Sequence, residues 1–290
     1  MRTAVIFGAN GQDGHYLHEL LISEGIAVTG VSRSGPWLHM DIGKYADVEA
    51  LVREKRPDII FHLAANSTTR HDVLFENHET ISTGTFNVLE AVKRHSPGTK
   101  VFLSGSGLQF HNAGRPIKET DPFEATSPYA VSRIQSVYAA RYYRSLGIQT
   151  YFGYFFNHDS PIRPERHMSN KIAAFARRIA AGSSETLEIG DMTVRKEWGF
   201  AGDIVRGIYT LVQQDDVYEA TIGTGLAYSI EDWLNECFAL IGRDWRQYVV
   251  HRPGFVPEYD ILCSDPTTLR SLGWQPQVSF ADLARMMVLG

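Results

Sequence analysis

Apolar residues in the first half of the chain fall into two alternating patterns. Short runs such as Ala4-Val5-Ile6-Phe7 place apolar or β-branched residues at successive positions, which is how strands buried on both faces read. They predict strands over residues 4–7, 27–31, 59–63 and 100–103. Between them, apolar residues recur every three to four positions and predict helices over 16–23, 48–54 and 74–95. A further helix is expected to start at Ser127-Pro128, with Ser as cap and Pro in the first turn, and to end at Gly147. A strand over 148–156 follows. Strand–helix alternation of this kind predicts a doubly wound parallel sheet with right-handed crossovers.

The second half is less regular. Helical periodicity covers 171–181, 204–213, 230–241 and 280–288, with a short strand over 220–222. Turn-rich stretches at 157–164 and 252–257 read as loops over a cleft. The pattern divides the chain into a dinucleotide-binding unit, 1–156, and a smaller, mainly substrate-binding lobe, 157–290. A segment at about 200–225 is expected to return from the lobe to the first unit.

Composition narrows the function classes. Of 290 residues 43% are hydrophobic and 21% charged, enough apolar surface for a sizeable core. Lys and Arg number 28 against 33 Asp and Glu, a net charge of −5 that argues against a nucleic-acid surface. Two cysteines, Cys237 and Cys263, exclude a disulfide framework and suit a reducing cytoplasm. Three residues separate the start of the sequence from its first strand, which leaves no room for a signal peptide. No apolar stretch approaches the ~18 residues of a membrane span. A cytoplasmic globular protein is the expectation. The eleven histidines show no metal-ligand spacing, so no metal site is expected.

Chemistry first shows in Gly8-Ala9-Asn10-Gly11-Gln12-Asp13-Gly14, between the first strand and the first helix. Gly8 permits the tight turn, Gly11 lets the backbone approach a pyrophosphate, and Gly14 lets helix and strand pack closely. The phosphates of a dinucleotide would sit on free N–H groups at the helix N-terminus. Leu63, Ala64 and Ala65, at the end of the strand over 59–63, complete the expected cofactor wall. The second strand ends in Ser32-Arg33-Ser34, with no acid beside it to accept from a ribose 2′-hydroxyl. Arg33 and Ser34 therefore favour NADP, with NAD as the alternative. Asp41 and Ile42 are placed beside the adenine. Ser127-Pro128-Tyr129-Ala130-Val131-Ser132-Arg133 sets a tyrosine and a cation four residues apart, on one helix face. A free phenol has a pKa near ~10, so a catalytic tyrosine needs positive charge nearby.

With the glycine loop, these residues resemble the extended short-chain dehydrogenase/reductases, whose usual signature is Tyr-x-x-x-Lys. The resemblance runs nearly end to end and is closest to the GDP-mannose 4,6-dehydratases. It rests on the Gln12-Asp13 pair, Lys118-Glu119-Thr120-Asp121-Pro122-Phe123, Phe156-Asn157-His158-Asp159-Ser160-Pro161, Trp198-Gly199, Asp203, Asp265-Pro266-Thr267 and Leu272-Gly273-Trp274. The shortened segment between Arg33 and Asp41 is more like the GDP-6-deoxy-4-keto-hexose reductases. The resemblance implies a Rossmann-like fold and a nicotinamide-dependent enzyme acting at C4 of a nucleotide-linked, GDP-type hexose. It also implies a homodimer through the Tyr129-bearing helix. It assigns acid/base chemistry to Tyr129, with Arg133 as its electrostatic partner in place of Lys and Ser106 as hydroxyl donor to the sugar. Asn66, Gln109, Asn157, Arg163, Lys196 and Arg252 become the substrate-side candidates.

Two positions depart from the family. Aligned through Lys118-Glu119-Thr120, Gly105 stands where a Ser or Thr would hold the C4 oxygen, and Gly107 where the dehydratases carry a Glu. Oxidation at C4 acidifies the C5 proton, and elimination then needs a base and an acid that glycine lacks. The alternative readings are a 4-keto reductase or dehydrogenase without elimination, and a cofactor-binding protein without catalysis.

Overall fold

The computed structural model describes residues 1–290. Six strands open the chain: β1 (Thr3–Phe7), β2 (Ala27–Ser32), β3 (Leu38–His39), β4 (Ile59–His62), β5 (Lys100–Ser106) and β6 (Thr150–Phe155). With the later strand Glu219–Ile222 they form one seven-stranded, wholly parallel sheet. The order is Glu219–Ile222, β6, β5, β4, β1, β2, β3, so the chain reverses its direction of growth between β1 and β4. Crevices that take ligands open at such a switch point, beyond the carboxyl ends of the strands.

Both faces of the sheet are buried. Val5 and Phe7 join the core under the helices Tyr45–Lys55, Gly84–His95 and Pro128–Ser145, whereas Ala4 and Ile6 face the helices Gln12–Ser23 (α1) and Ala201–Val212. Side chains alternate along each strand while both faces need apolar residues, and this accounts for the uninterrupted runs. A third core lies apart from the sheet, between the helices Met168–Ala180, Ile230–Ala239 and Phe280–Leu289, with Trp198 stacked on Trp233 at 4.6 Å. The helix Ala201–Val212 and the strand Glu219–Ile222 return from that lobe to the large sheet. No helix is long and apolar enough to cross a membrane.

The single helix expected over 74–95 is three pieces: Leu74–Asn77, a π-helical turn His78–Thr83, and Gly84–His95. Gly84 lies so close to the sheet that a Cβ would stand 3.1 Å from Ile42 and 3.3 Å from His62. The carbonyl of Ile81, in the π turn, accepts from the Ser136 hydroxyl of the neighbouring helix at 3.2 Å. The widened turn thus lets a long helix follow the curved sheet with its backbone satisfied.

One polar cluster ties the outer strand to the helix Pro128–Ser145. Glu219 accepts from Arg141 at 2.7 and 2.9 Å, from Arg144 at 3.1 Å and from the Tyr154 hydroxyl at 2.7 Å. Burial pushes its carboxyl up, but these donors and the Arg141 charge outweigh burial and hold it below the ordinary range. Glu219→Gln is expected to cost about 1.5–3 kcal/mol at neutral pH, read as a lower urea midpoint. A depressed folded-state pKa gives stability that is present above the unfolded pKa and lost as pH falls through the folded one. The gap between wild type and variant should therefore begin to narrow near about pH 4 and close only as pH falls further, through the depressed folded-state pKa. A gap independent of pH would count against the ionised cluster.

Candidate active site

At the end of β1 the chain must turn sharply beneath β4. Gly8 has φ +91°, and a Cβ there would stand 2.7 Å from the Ala64 nitrogen, so only glycine fits. Its N–H donates to Val31 at 2.9 Å, fixing the turn to β2. Gly14 abuts the Gly8 carbonyl and lies under Ala9, where a Cβ would be 2.7 Å from the Ala9 Cα. Helix α1 therefore begins directly against the strand. Gly11 is its N-cap and no side chain caps it, which leaves the first N–H groups free for an anion.

A cleft of about 930 Å³ opens at this point. Its wall includes Gly8, Asn10, Gly11, Gln12, Asp13, Gly14 and Ser34 from the first two loops, and Leu63 and Ala65 after β4. Ser106 at the end of β5, Tyr129 and Arg133 on the next helix, and Asn157, Arg163 and Lys196 complete it. Residues separated by almost two hundred positions thus meet in one crevice. The rest of the expected set stands outside the wall. Ala64 supplies backbone under Gly8, and Ile42 is buried in the core with its carbonyl accepting from Asn87 at 2.8 Å. Asp41 caps its own turn by accepting from Gly43 at 3.0 Å. Gln109 is fully buried, its side-chain oxygen accepting from the Ser106 N–H at 3.0 Å. Arg252 is exposed and its N–H donates to Ile189, so its placement on the substrate side is not met.

The Gln12-Asp13 pair and the segment Phe156–Pro161 interlock. His158 Nε2 lies 2.8 Å from Asp13 Oδ1, and its other ring nitrogen lies 2.7 Å from the Phe156 carbonyl. Ser160 donates to Gln12 at 2.8 Å. Burial pushes the Asp13 carboxyl up and the His158 imidazole down, but their mutual charge and hydrogen bond win in both. Asp13 ends below and His158 above its ordinary value, as a partly buried ion pair. Farther along the wall, Asp159 accepts from Ser169 and faces Arg163 Nε at 3.5 Å. Burial and the Arg163 and Arg166 charges lower the His167 imidazole to about 4, leaving it neutral at physiological pH. Burial also lowers the Lys196 ammonium, which sits 4.6 Å over the Trp198 ring. This end of the cleft is cationic.

Tyr129 is held at the start of its helix by Ser127, whose hydroxyl accepts from Ala130 at 3.1 Å. The Arg133 guanidinium lies 5.0 Å from the Tyr129 ring centre and is buried. It donates to the backbone carbonyl of Ser104 and, at 2.9 Å, to the Ser104 hydroxyl. The Ser104 hydroxyl in turn donates to the His62 carbonyl. Arg133 is thus fastened to the ends of β4 and β5 beneath the tyrosine. Burial and the Arg133 charge push the neighbouring His62 imidazole down to about 3, so it stays neutral. The Ser106 hydroxyl accepts from Leu108 at 3.2 Å, and its own hydrogen is left for another acceptor.

The glycines at the departing positions have a structural cause. A Cβ on Gly107 would stand 2.7 Å from the Phe156 ring, and one on Gly105 2.9 Å from Gln109 and 3.0 Å from Tyr154. Aromatic side chains fill the space a side chain there would need. The carboxylates in the cleft wall are Asp13 and Asp159, and both are engaged as described. No group of three or more His, Cys, Asp or Glu side chains is placed to hold a metal ion.

Several wall residues carried no distinct sequence signal. Trp37 packs over Gly30 and against the His18 ring at 5.1 Å, flooring the cleft beside Ser34. Arg33 points elsewhere, onto Glu76 at 3.0 Å, so the acid missing beside it in sequence arrives from another element. His158 lies within the Phe156–Pro161 motif, but its partner Asp13 is 145 positions away and only the fold brings the two together.

Comparison with known proteins agrees with this architecture. Residues 5–287 match the family model of GDP-mannose 4,6 dehydratase. The chain is 32% identical to GDP-mannose 4,6 dehydratase 2 of Arabidopsis thaliana, over 99% of this chain and 86% of that protein. Among solved structures, dTDP-glucose 4,6-dehydratase from Bacillus anthracis, in complex with NAD, superposes with a TM-score of 0.87. The match covers 100% of this chain and 96% of that one at 15% identity. The RMD protein of Pseudomonas aeruginosa, complexed with NADPH, also gives 0.87, at 19% identity over 100% and 97% of the two chains. The fold is therefore that of the extended dehydrogenase/reductases, and at 32% identity over nearly its whole length the chain belongs to the GDP-mannose 4,6-dehydratase family.

Proposed function

We propose that this chain is an enzyme that binds a nicotinamide dinucleotide at the switch point and acts at C4 of a nucleotide-linked, GDP-type hexose. The observation that carries this reading is the convergence, in one cleft, of an uncapped helix N-terminus, the Tyr129–Arg133 pair and a cationic far end. The close-packed glycine turn fits a pyrophosphate, because Gly8 and Gly14 leave no side chain between it and the backbone donors. Family members' names point to nucleotide sugars, and structural neighbours were solved with NAD and with NADPH. Of the two, a cofactor with a 2′-phosphate suits Arg33. The dinucleotide supplies hydride exchange with the sugar carbon.

Tyr129 moves the proton on the C4 oxygen, with the Arg133 guanidinium 5.0 Å from its ring centre. Arg133, fastened to Ser104, sits beside the ring as a fixed positioning group and does not relay the proton itself. The Ser106 hydroxyl orients the same oxygen. Asn157, whose buried side-chain oxygen has no hydrogen-bond partner, takes a sugar hydroxyl. Arg163 and Lys196 face the diphosphate. Tyr129→Phe should lower turnover by about 10²–10⁴-fold while leaving dinucleotide affinity intact. Equal loss of binding would assign Tyr129 to the cofactor instead.

A second reading is favoured by the Phe156 ring against Gly107: oxidation or reduction at C4 without loss of water. The loop after β4 offers no replacement base to the wall, since it presents Ser67 and Thr69 there while Asp72 pairs with Arg70 at the surface. With GDP-mannose and NADP, elimination is expected to be depressed by about 10²–10⁴-fold relative to a dehydratase with its Glu. Mass spectrometry reads it as loss of one water. Rapid formation of the 4-keto-6-deoxy product would overturn this second reading. NADPH oxidation with a 4-keto sugar nucleotide would support it.

The Tyr129-bearing helix also carries exposed Val131, Tyr138 and Tyr142, beside exposed Phe86 of the helix Gly84–His95. Phe86, Tyr138 and Tyr142 border one apolar groove, more aromatic surface than a solvated face usually shows. A second copy of the chain is the proposed occupant, giving a homodimer. Light scattering at micromolar concentration should return twice the mass of the chain, and Tyr138→Glu should halve it. A monomeric wild type would exclude the dimer.

A further inference from the structure

Glu76 sits where neither cofactor nor sequence motif places an acid. It belongs to the short helix Leu74–Asn77, which follows the loop after β4. Its Oε1 accepts from Arg33 Nη2 at 3.0 Å, and its Oε2 accepts from Asn66 Nδ2 at 3.1 Å. The carboxylate therefore bridges the end of β2, where an adenosine ribose is read, to the loop that leaves β4. Arg33 has its guanidinium drawn onto Glu76 and out of the cleft wall, while its neighbour Ser34 lines that wall and accepts from Asn10 at 3.0 Å. Donors from Arg33 and Asn66 outweigh partial burial and keep Glu76 below the ordinary carboxylate range, so it is ionised at neutral pH.

We propose that Glu76 is a specificity-determining residue for the dinucleotide: its carboxylate neutralises Arg33 and competes with a ribose 2′-phosphate for that guanidinium. The inference rests on the cofactor reading above and deepens it. A 2′-phosphate has to displace Glu76 from Arg33 and then lies beside a like charge, so the discrimination that Arg33 alone provides is reduced. A ribose with a free 2′-hydroxyl meets no such repulsion. The two side chains are 60% and 39% exposed, which keeps the competing pair weak enough for a ligand to open. Selectivity in this chain is then set by a residue more than forty positions away from the one that contacts the phosphate.

The test is a set of NADPH and NADH dissociation constants, read by nucleotide fluorescence for wild type, Glu76→Gln, Arg33→Ala and the double variant. Glu76→Gln should tighten NADPH by about fivefold, the upper range for an exposed pair, with little change for NADH. Arg33→Ala should weaken NADPH selectively, and in that background Glu76→Gln should no longer change the ratio of the two constants. The gain should shrink at high salt, because the competition is electrostatic. An unchanged ratio in Glu76→Gln, or the same change with and without Arg33, would overturn the role of Glu76. Glu76→Ala guards against a new contact from the Gln side chain and should shift the ratio in the same direction; a shift the other way would also overturn it. Failure of every form of the protein to bind either nucleotide would instead remove the cofactor reading on which the inference depends.

Discussion

The partly buried ion pair between Asp13 and His158 is what the site depends on. It fastens the first turn of α1, where the cofactor phosphates are proposed to sit, to the loop after β6, where substrate contacts begin. Taking two charges out of water is costly unless both are paired and hydrogen-bonded. Here the second ring nitrogen faces the Phe156 carbonyl, and the adjacent Gln12 is held by Ser160. The cluster is satisfied, so it can set the spacing between two loops that the sheet alone would leave to drift. Without it the glycine turn and Asn157 would each still form, but not at a defined distance.

A second constraint acts from below. Arg133 occupies a lysine position and is fastened to Ser104, while the sheet residues nearby are glycines with aromatic rings against them. These features belong together. Phe152, Tyr154 and Phe156 need room at the end of β5, and Gly105 and Gly107 provide it. A carboxylate in place of Gly107 would meet a ring at 2.7 Å from its Cβ. The packing around β5 and β6 therefore leaves no room for a side chain at position 107, and a single substitution there would not fit without repacking.

The charge pattern along the cleft sorts the ligand by chemistry. Near α1 the donors are backbone N–H groups; at the far end they are Arg163, Arg166 and Lys196, with a neutral His167 among them. Phosphates at both ends with neutral, hydroxylated groups between them match that distribution, as two separately bound diphosphate ligands would supply them. The protein as a whole is acidic, so the cationic far end is a local arrangement and not a consequence of net charge.

Much of this was legible in the chain itself, because the signals were local. Apolar runs marked the strands of the large sheet apart from β3 and the last three residues of β5, Gly8-x-x-Gly11-x-x-Gly14 marked the turn, and Ser127-Pro128 marked the start of the tyrosine helix. Each reflects a requirement met within a few residues: burial on both faces, a positive φ, a helix cap. What only the tertiary structure decided lies between elements. Glu76 reaches Arg33 because the crossovers bring the loop after β4 beside the end of β2. Phe156 closes the space above Gly107 because β6 lies next to β5, and Gln109 turns inward to accept from Ser106 instead of lining the cleft. Arg252 stays outside because it follows the strand Val249–His251, which pairs with Leu187–Ile189 away from the cleft wall. Periodicity tells which face of an element is buried, but side-chain partners across a parallel sheet depend on strand order. That order is set by packing the whole chain at once.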